Sequence, residues 1–165
     1  MFTEPKLDRR DEQPYMGIRT QVTMGEMPEV IPQSFEEVFV WLGERGIAPV
    51  GPPFVRFHVI DMEALMDIEM GVPVESTEEG DDRVTAGTLP AGRYASLVYT
   101  GLENAYKGNG MLLHWGGKQG LVWDKWTVEK GEAFGGRYET TLTDPDEEPD
   151  TTKWETEVAI RLADK

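Results

Sequence analysis

The strongest constraint on the fold is a sequence pattern that occurs twice along the chain. Residues 40–47 read VWLGERGI and residues 114–121 read HWGGKQGL, with a tryptophan, two glycines and an aliphatic residue at matching positions. Recurrence of this kind indicates that one supersecondary unit is written twice, unless the match arose by chance. The glycines that we expect at the ends of two helices are Gly46 and Gly120.

A helix is predicted just before each of these glycines. In the first half, Phe35, Val38 and Leu42 recur at helical spacing behind Ser34. We expect Ser34 to be the N-cap, with Glu37 completing a capping box. The second helix is predicted less clearly, because several glycines dilute its apolar stripe.

Strand-like segments lie before and after each predicted helix, so the order strand, helix, strand, strand occurs twice. This order predicts an α+β fold, with duplicated units that form an antiparallel sheet and both helices on one face. We expect one domain over residues 1–165, with pseudo-repeats at about 14–75 and 83–163. The segments are 15–22, 51–61 and 65–70 in the first half, and 93–100, 135–144 and 154–162 in the second.

The charge balance limits the partners that the chain can attract. It has 31 acidic against 16 basic residues, a net charge of −15, and no cysteine. Nucleic acid and anionic membranes are therefore poor partners, whereas a small-molecule ligand is expected and a protein partner stays open. Without a membrane span or signal peptide in the sequence, we expect a cytoplasmic location. No cofactor is expected, and no metal, since the acidic loop at 144–150 lacks the glycine and glutamate of a calcium loop.

Strand alternation was used to assign side chains to the two faces of the predicted sheet. Leu142 is interpreted as a core residue, which places Glu139 and Thr141 on the face away from the helices. Val158 and its apolar neighbours mark the core side of the last strand, so Glu157 would share the helix-free face with Glu139. Acidic residues on a sheet face that no helix covers are typical of a face exposed to solvent. Alternatively, they line a ligand-binding groove.

The number of aromatic residues favours a groove over a solvent-exposed face, because the cores of two small helix–sheet interfaces can accommodate only some of them. In the first half, Val55 and Phe57 occupy the positions that correspond to Glu139 and Thr141, so they would lie on the same face and make the groove amphipathic. The predicted ligand-binding residues are Glu139, Glu157, Thr141, Phe57, Val55, Asp67, Tyr94, Trp123 and Trp126.

Five short motifs carry a family resemblance: VPV at 72–74, LPAGRY at 89–94, YTG at 99–101, GRYE at 136–139 and TDP at 143–145. Together they resemble the GyrI-like small-molecule-binding domain, which is also the effector-binding half of multidrug-sensing transcription activators. The similarity extends from about residue 15 to 164. It implies a duplicated fold with a ligand in a central groove, where Glu139 neutralises bound cations among aromatic rings and Glu157 lies nearby. Thr141 stands where the family pattern has a second tyrosine.

The resemblance leaves three functions open. The first is a stand-alone binder of amphipathic, cationic or polycyclic compounds. The second is a hydrolase of cyclopropane-bearing toxins, in which Glu139 or Glu157 activates a water against a strained electrophile. The third is a protein-interaction module similar to the gyrase inhibitors of this family.

Overall fold

The computed structural model describes residues 1–164, which form ten strands, two α-helices and two short 3-10 helices. The helices are α1 (Met27–Glu44) and α2 (Ala105–Lys118). The strands are β1 (Lys6–Arg10), β2 (Gln13–Val22), β3 (Phe54–Ile60), β4 (Met66–Pro73), β5 (Thr85–Leu89), β6 (Gly92–Thr100), β7 (Lys125–Val128), β8 (Gly131–Phe134), β9 (Arg137–Thr141) and β10 (Glu155–Arg161).

All strands belong to one antiparallel sheet, in the order β1-β6-β10-β9-β3-β4-β2-β5. The hairpin of β7 and β8 joins it through pairing of β8 with β3. Strands β3 and β9 pair at the centre, and three strands follow on each side. The predicted antiparallel sheet with two helices is thus confirmed, while the internal duplication stays an interpretation. No helix within residues 1–164 is long and apolar enough to span a membrane.

Both helices cover the same face of the sheet, which we call the helix face. Helix α1 lies over β2 and β4, and α2 lies over β6. Under α1, Val38 and Leu42 pack against Met16 and Ile18, and all four side chains are at most 1% exposed. Burial of each such aliphatic side chain stabilises the fold by about 1.5–3 kcal/mol. The opposite side of the sheet is called the helix-free face below.

The two predicted helix ends are confirmed. Gly46 and Gly120 have φ values of 68° and 72°, the left-handed conformation that glycine adopts without steric strain. In both cases the following residue donates its amide to the carbonyl five positions earlier, at 3.0 Å. This hydrogen bond defines a Schellman cap, which satisfies carbonyl groups that the helix end leaves free.

The predicted start of the first helix is wrong. Helix α1 begins at Met27, and Ser34 is a buried residue within it rather than its N-cap. The early turns tolerate Pro32 because they carry an apolar stripe of their own, in which Ile31 and Phe35 pack against the core. Packing of this stripe outweighs the local capping signal at Ser34, which sequence reasoning followed.

The predicted face of Glu139 is also wrong. Glu139 pairs with Val55 on one side and Val158 on the other, and directly paired residues point to the same face. That face is the helix face, because Val55 and Val158 belong to the cores under α1 and α2. Leu142 misled the assignment, since it lies beyond the end of β9 and is 48% exposed. The residues wrongly assigned to the helix-free face are Glu139, Thr141, Val55 and Phe57.

Candidate functional site

The candidate site lies on the helix face, above the two central strands. Because α1 covers β2 and β4 while α2 covers β6, a strip over β3 and β9 runs between the helices. We call it the central strip and define it by Val55 and Phe57 of β3 and by Arg137, Glu139 and Thr141 of β9. It combines two buried apolar side chains with two charged groups of opposite sign.

Glu139 is a partly buried carboxylate that only neutral groups contact directly. The hydroxyl of Tyr99 donates to its Oε1 at 2.5 Å, and Nδ2 of Asn109 donates to its Oε2 at 3.4 Å. Burial raises the pKa of Glu139, and the hydrogen bond from Tyr99 and the charge of Arg137 oppose that rise only in part. Glu139 therefore stays more easily protonated than an ordinary glutamate.

Arg137 lies two residues before Glu139 on the same face of β9. Its Nη2 donates to Oδ1 of Asn109 at 2.8 Å, and its guanidinium lies 4.7 Å from the ring centre of Phe134. Its Nε has no hydrogen-bond partner within residues 1–164, although the residue is only 9% exposed. Burial lowers the pKa of Arg137, against the opposing charges of Glu139 and Glu132.

Both helices carry exposed aromatic side chains. On α1, Phe35 packs against the cluster that contains Val55 and Phe57, and Phe39 follows one turn later with 40% of its surface exposed. On α2, the side of the helix that carries Asn109 faces Glu139, because Asn109 contacts this carboxylate. Tyr106 is three residues earlier, so it lies on the same side of the helix, and it is 78% exposed.

The helix-free face holds three other predicted site residues, so the structure separates them from Glu139. Glu157 accepts a hydrogen bond from Nη1 of Arg10 at 2.9 Å. Asp67 forms two hydrogen bonds with Arg19 at 2.9 and 3.0 Å. The fully buried Tyr94 donates its hydroxyl to the carbonyl of residue 90 at 2.6 Å. These polar groups already have protein partners.

The two predicted tryptophans lie elsewhere. Trp123 packs its ring against Gly116 of α2, where a side chain on the glycine would collide with it. Trp126 lies on β7 and is 52% exposed. Neither contacts Glu139 through a hydrogen bond in the described residues.

Two surface clefts of about 370 Å³ each lie away from the central strip. One is bounded by the turn between β7 and β8 together with Asp67 and Val59, and the other by Arg93 and residues 120–122. Neither is lined by Glu139 or Arg137. The space over these two residues is instead filled in part by the Asn109 amide.

Sequence reasoning missed three residues around Glu139, namely Tyr99, Asn109 and Arg137. Tyr99 and Arg137 each lie inside a motif that drew attention for other reasons. The one available signal was alternation on β9, because Arg137 and Glu139 are two residues apart and share a face whatever that face is. Asn109 gave no signal, since only the packing of α2 brings it to the sheet.

Comparison with protein-family models identifies the class of protein. Residues 3–163 match the model of the GyrI-like small molecule binding domain, so the chain belongs to that family. No curated protein sequence gives a significant match.

Solved structures support the same fold. The C-terminal domain of EcmrR aligns with a TM-score of 0.73 at 14% identity, covering 98% of both chains. In the EcmrR–DNA complex the chain spans only 58% of the EcmrR polypeptide, at 15% identity and a TM-score of 0.76. A hydrolase from Listeria innocua aligns at 0.66 with 13% identity, covering 97% of this chain and 92% of the hydrolase. SAV2435 bound to tetraphenylphosphonium aligns at 0.61 with 11% identity, covering 98% and 94%.

Proposed function

We propose that the protein binds amphipathic aromatic compounds that carry a positive charge, and that they bind over the central strip. The observation that carries this proposal is Glu139, a partly buried carboxylate with no ion pair among residues 1–164. A cation placed beside such a carboxylate restores its charged form and gains Coulomb energy that exposed pairs lack.

The surrounding side chains suit an aromatic ligand. Phe39 and Tyr106 expose ring surface on the two sides of the strip, and Val55 and Phe57 supply an apolar floor. A ring face stabilises a cation by about 0.5–2 kcal/mol. The 3.4 Å contact from Asn109 to Glu139 is long for a hydrogen bond, so a ligand can displace it at small cost. SAV2435, which shares this fold, has been solved with a lipophilic cation bound.

The decisive experiment compares Glu139→Gln with Glu157→Gln, the same substitution on opposite faces of the sheet. Calorimetric titration would use tetraphenylphosphonium as the cationic probe and triphenylphosphine oxide as a neutral one. We expect Glu139→Gln to weaken cation binding by about 1–3 kcal/mol and to leave the neutral probe unchanged, whereas Glu157→Gln alters neither. A loss confined to Glu157→Gln would move the site to the helix-free face.

A hydrolase is the second candidate, because burial raises the pKa of Glu139, as it does for carboxyl groups that serve as general acids or bases. A related fold belongs to a protein described as a hydrolase. For an enzyme, Glu139→Gln would keep substrate affinity and lower turnover about 10²-fold or more on a strained cyclopropane electrophile. If Glu139→Gln weakened binding and left turnover unchanged, the result would contradict the hydrolase and support the binding protein.

A further inference from the structure

Arg137 is a second charged group of the central strip, and the binding of a cation does not use it. Within residues 1–164 its side chain makes one hydrogen bond, from Nη2 to Asn109, and its buried Nε has no partner. Although the chain has 31 acidic residues, none within residues 1–164 forms an ion pair with Arg137. The two nearest charges, Glu139 and Glu132, act on it only from a distance.

A buried guanidinium without an anion is costly, because burial removes its water without a compensating charge. Arginine presents its N–H groups as a planar fork that fits a carboxylate through two parallel hydrogen bonds. Such a fork with a free Nε is half of a bidentate pair. An anionic group of a ligand would complete such a pair.

We propose that the ligand of the central strip is zwitterionic, with an anionic group such as a carboxylate that Arg137 binds and a cationic aromatic part that Glu139 binds. This inference rests on the proposed function and narrows its ligand class. Arg137 and Glu139 are two residues apart on a strand, so their Cα atoms are about 7 Å apart. The two charges of the ligand therefore belong to opposite ends of a rigid group of similar length. A zwitterion also avoids the repulsion that the −15 net charge exerts on a simple anion.

Arg137 has structural contacts as well, so the test needs a measurement that a structural role would not change. The guanidinium stacks on Phe134 and anchors Asn109 of α2. Loss of these contacts would weaken the binding of every ligand alike. The change that a substitution of Arg137 causes in the ratio of affinities for two ligands that differ only in the anionic group reports on the charge of Arg137, because loss of structural contacts affects both ligands alike.

Rhodamine 110 and its methyl ester, rhodamine 123, form such a pair, since both carry the cationic ring system and only the first has a free carboxylate. Fluorescence anisotropy would give the affinity of the full-length protein for each. We expect the unsubstituted protein to bind rhodamine 110 at least about tenfold more tightly than the ester. Arg137→Met should bring this ratio close to one. Arg19→Met, on the helix-free face, should leave it unchanged.

Arg137→Lys covers the case in which Arg137→Met does not fold, because it keeps the charge and removes the fork. The preference for the free acid should then fall by about threefold or more. Equal or tighter binding of the ester to the unsubstituted protein would overturn the zwitterion proposal while leaving a Glu139-dependent cation site intact. Absence of binding of both dyes would overturn the proposed site together with this inference.

Discussion

Glu69 and Glu139 are both carboxylates of the central sheet, yet their surroundings shift their acidity in opposite directions. Glu69, on the helix-free face, accepts from the hydroxyl of Tyr15 at 2.5 Å and contacts Nε2 of His58 at 2.8 Å. Burial alone would raise the pKa of Glu69, but these hydrogen bonds lower it below the ordinary value. Burial does raise the pKa of Glu139, because Tyr99 is its one close donor.

The difference supports the helix face as the location of the proposed site. On the helix-free face, Arg56 joins the Tyr15–Glu69 pair at 3.1 Å, and Arg10 joins Glu157 to Tyr138. The carboxylates of this face thus have charged partners inside the protein, although Nε of Arg56, like that of Arg137, has no hydrogen-bond partner within residues 1–164. In the central strip, a carboxylate and a guanidinium lie on one strand without forming an ion pair within residues 1–164, and we propose that a ligand supplies their missing partners.

The largest effect on stability is expected for Glu69→Gln. The substitution keeps the volume and removes the charge that faces His58 and Arg56, so it should lower the free energy of unfolding by about 2–4 kcal/mol. Urea unfolding followed by tryptophan fluorescence measures this. Glu132→Gln is the matched control, because its partner Lys125 is exposed and the pair should contribute below about 1 kcal/mol. Equal losses of unfolding free energy for the two variants would contradict a stabilising hydrogen-bond network around Glu69.

A smaller loss is expected for Tyr99→Phe, which removes only the hydroxyl that Glu139 accepts from. We expect unfolding free energy to fall by about 1–2 kcal/mol, since the ring keeps its place in the core under α2. The pKa of Glu139 should rise further, because its closest donor is gone. Carboxyl NMR titration of the variant measures that pKa, and a decrease would contradict the assigned role of Tyr99.

Glu157→Gln should lower the free energy of unfolding by about 1 kcal/mol. Glu157 and Arg10 form a 2.9 Å ion pair in which each side chain is about one-fifth exposed, so solvent screens part of the attraction. The same urea titration applies. Removal of the pair from the other side, by Arg10→Met, should give a larger loss, because Arg10 also contacts the rings of Tyr94 and Tyr138.

Much of the fold could be predicted from the sequence, because its signals are local. The Schellman ends at Gly46 and Gly120 follow from glycine spacing, and the order of the principal strands follows from alternation. Strands β1, β5, β7 and β8 were missed, since each has only four or five residues, and β1 and β5 are edge strands whose pairing depends on distant partners. The start of α1 was missed because core packing, which local signals do not encode, extends the helix past Pro32.

The candidate site was only half predictable. Glu139 was found from a motif, but its face depended on Leu142, a residue beyond the strand that carries no information about the core. Asn109 and Tyr99 reach Glu139 only because α2 and β6 are brought to β9 by tertiary packing. Alternation fixes which residues share a face, whereas only packing decides which face is covered.

The smallest and most specific effect is expected for Glu139→Gln, and its sign should depend on pH. The folded pKa of Glu139 lies above its ordinary value of 4.5, so ionisation opposes folding as the pH rises from that value to the folded pKa, and no such penalty exists in more acidic solution. Glutamine removes the penalty and still accepts from Tyr99. Relative to the unsubstituted protein, the variant should therefore gain stability as the pH rises from 4.5 to the folded pKa of Glu139. Glu69→Gln should show the opposite trend, because the stabilisation by Glu69 is present above pH 4.5 and is lost as the pH falls through its lowered folded pKa. Urea unfolding of both variants across this pH range measures the two slopes. If the unfolding free energies of the two variants changed with pH in the same direction, Glu69 and Glu139 would have similar surroundings. The contrast between a carboxylate with internal partners and one available to a ligand would then be wrong.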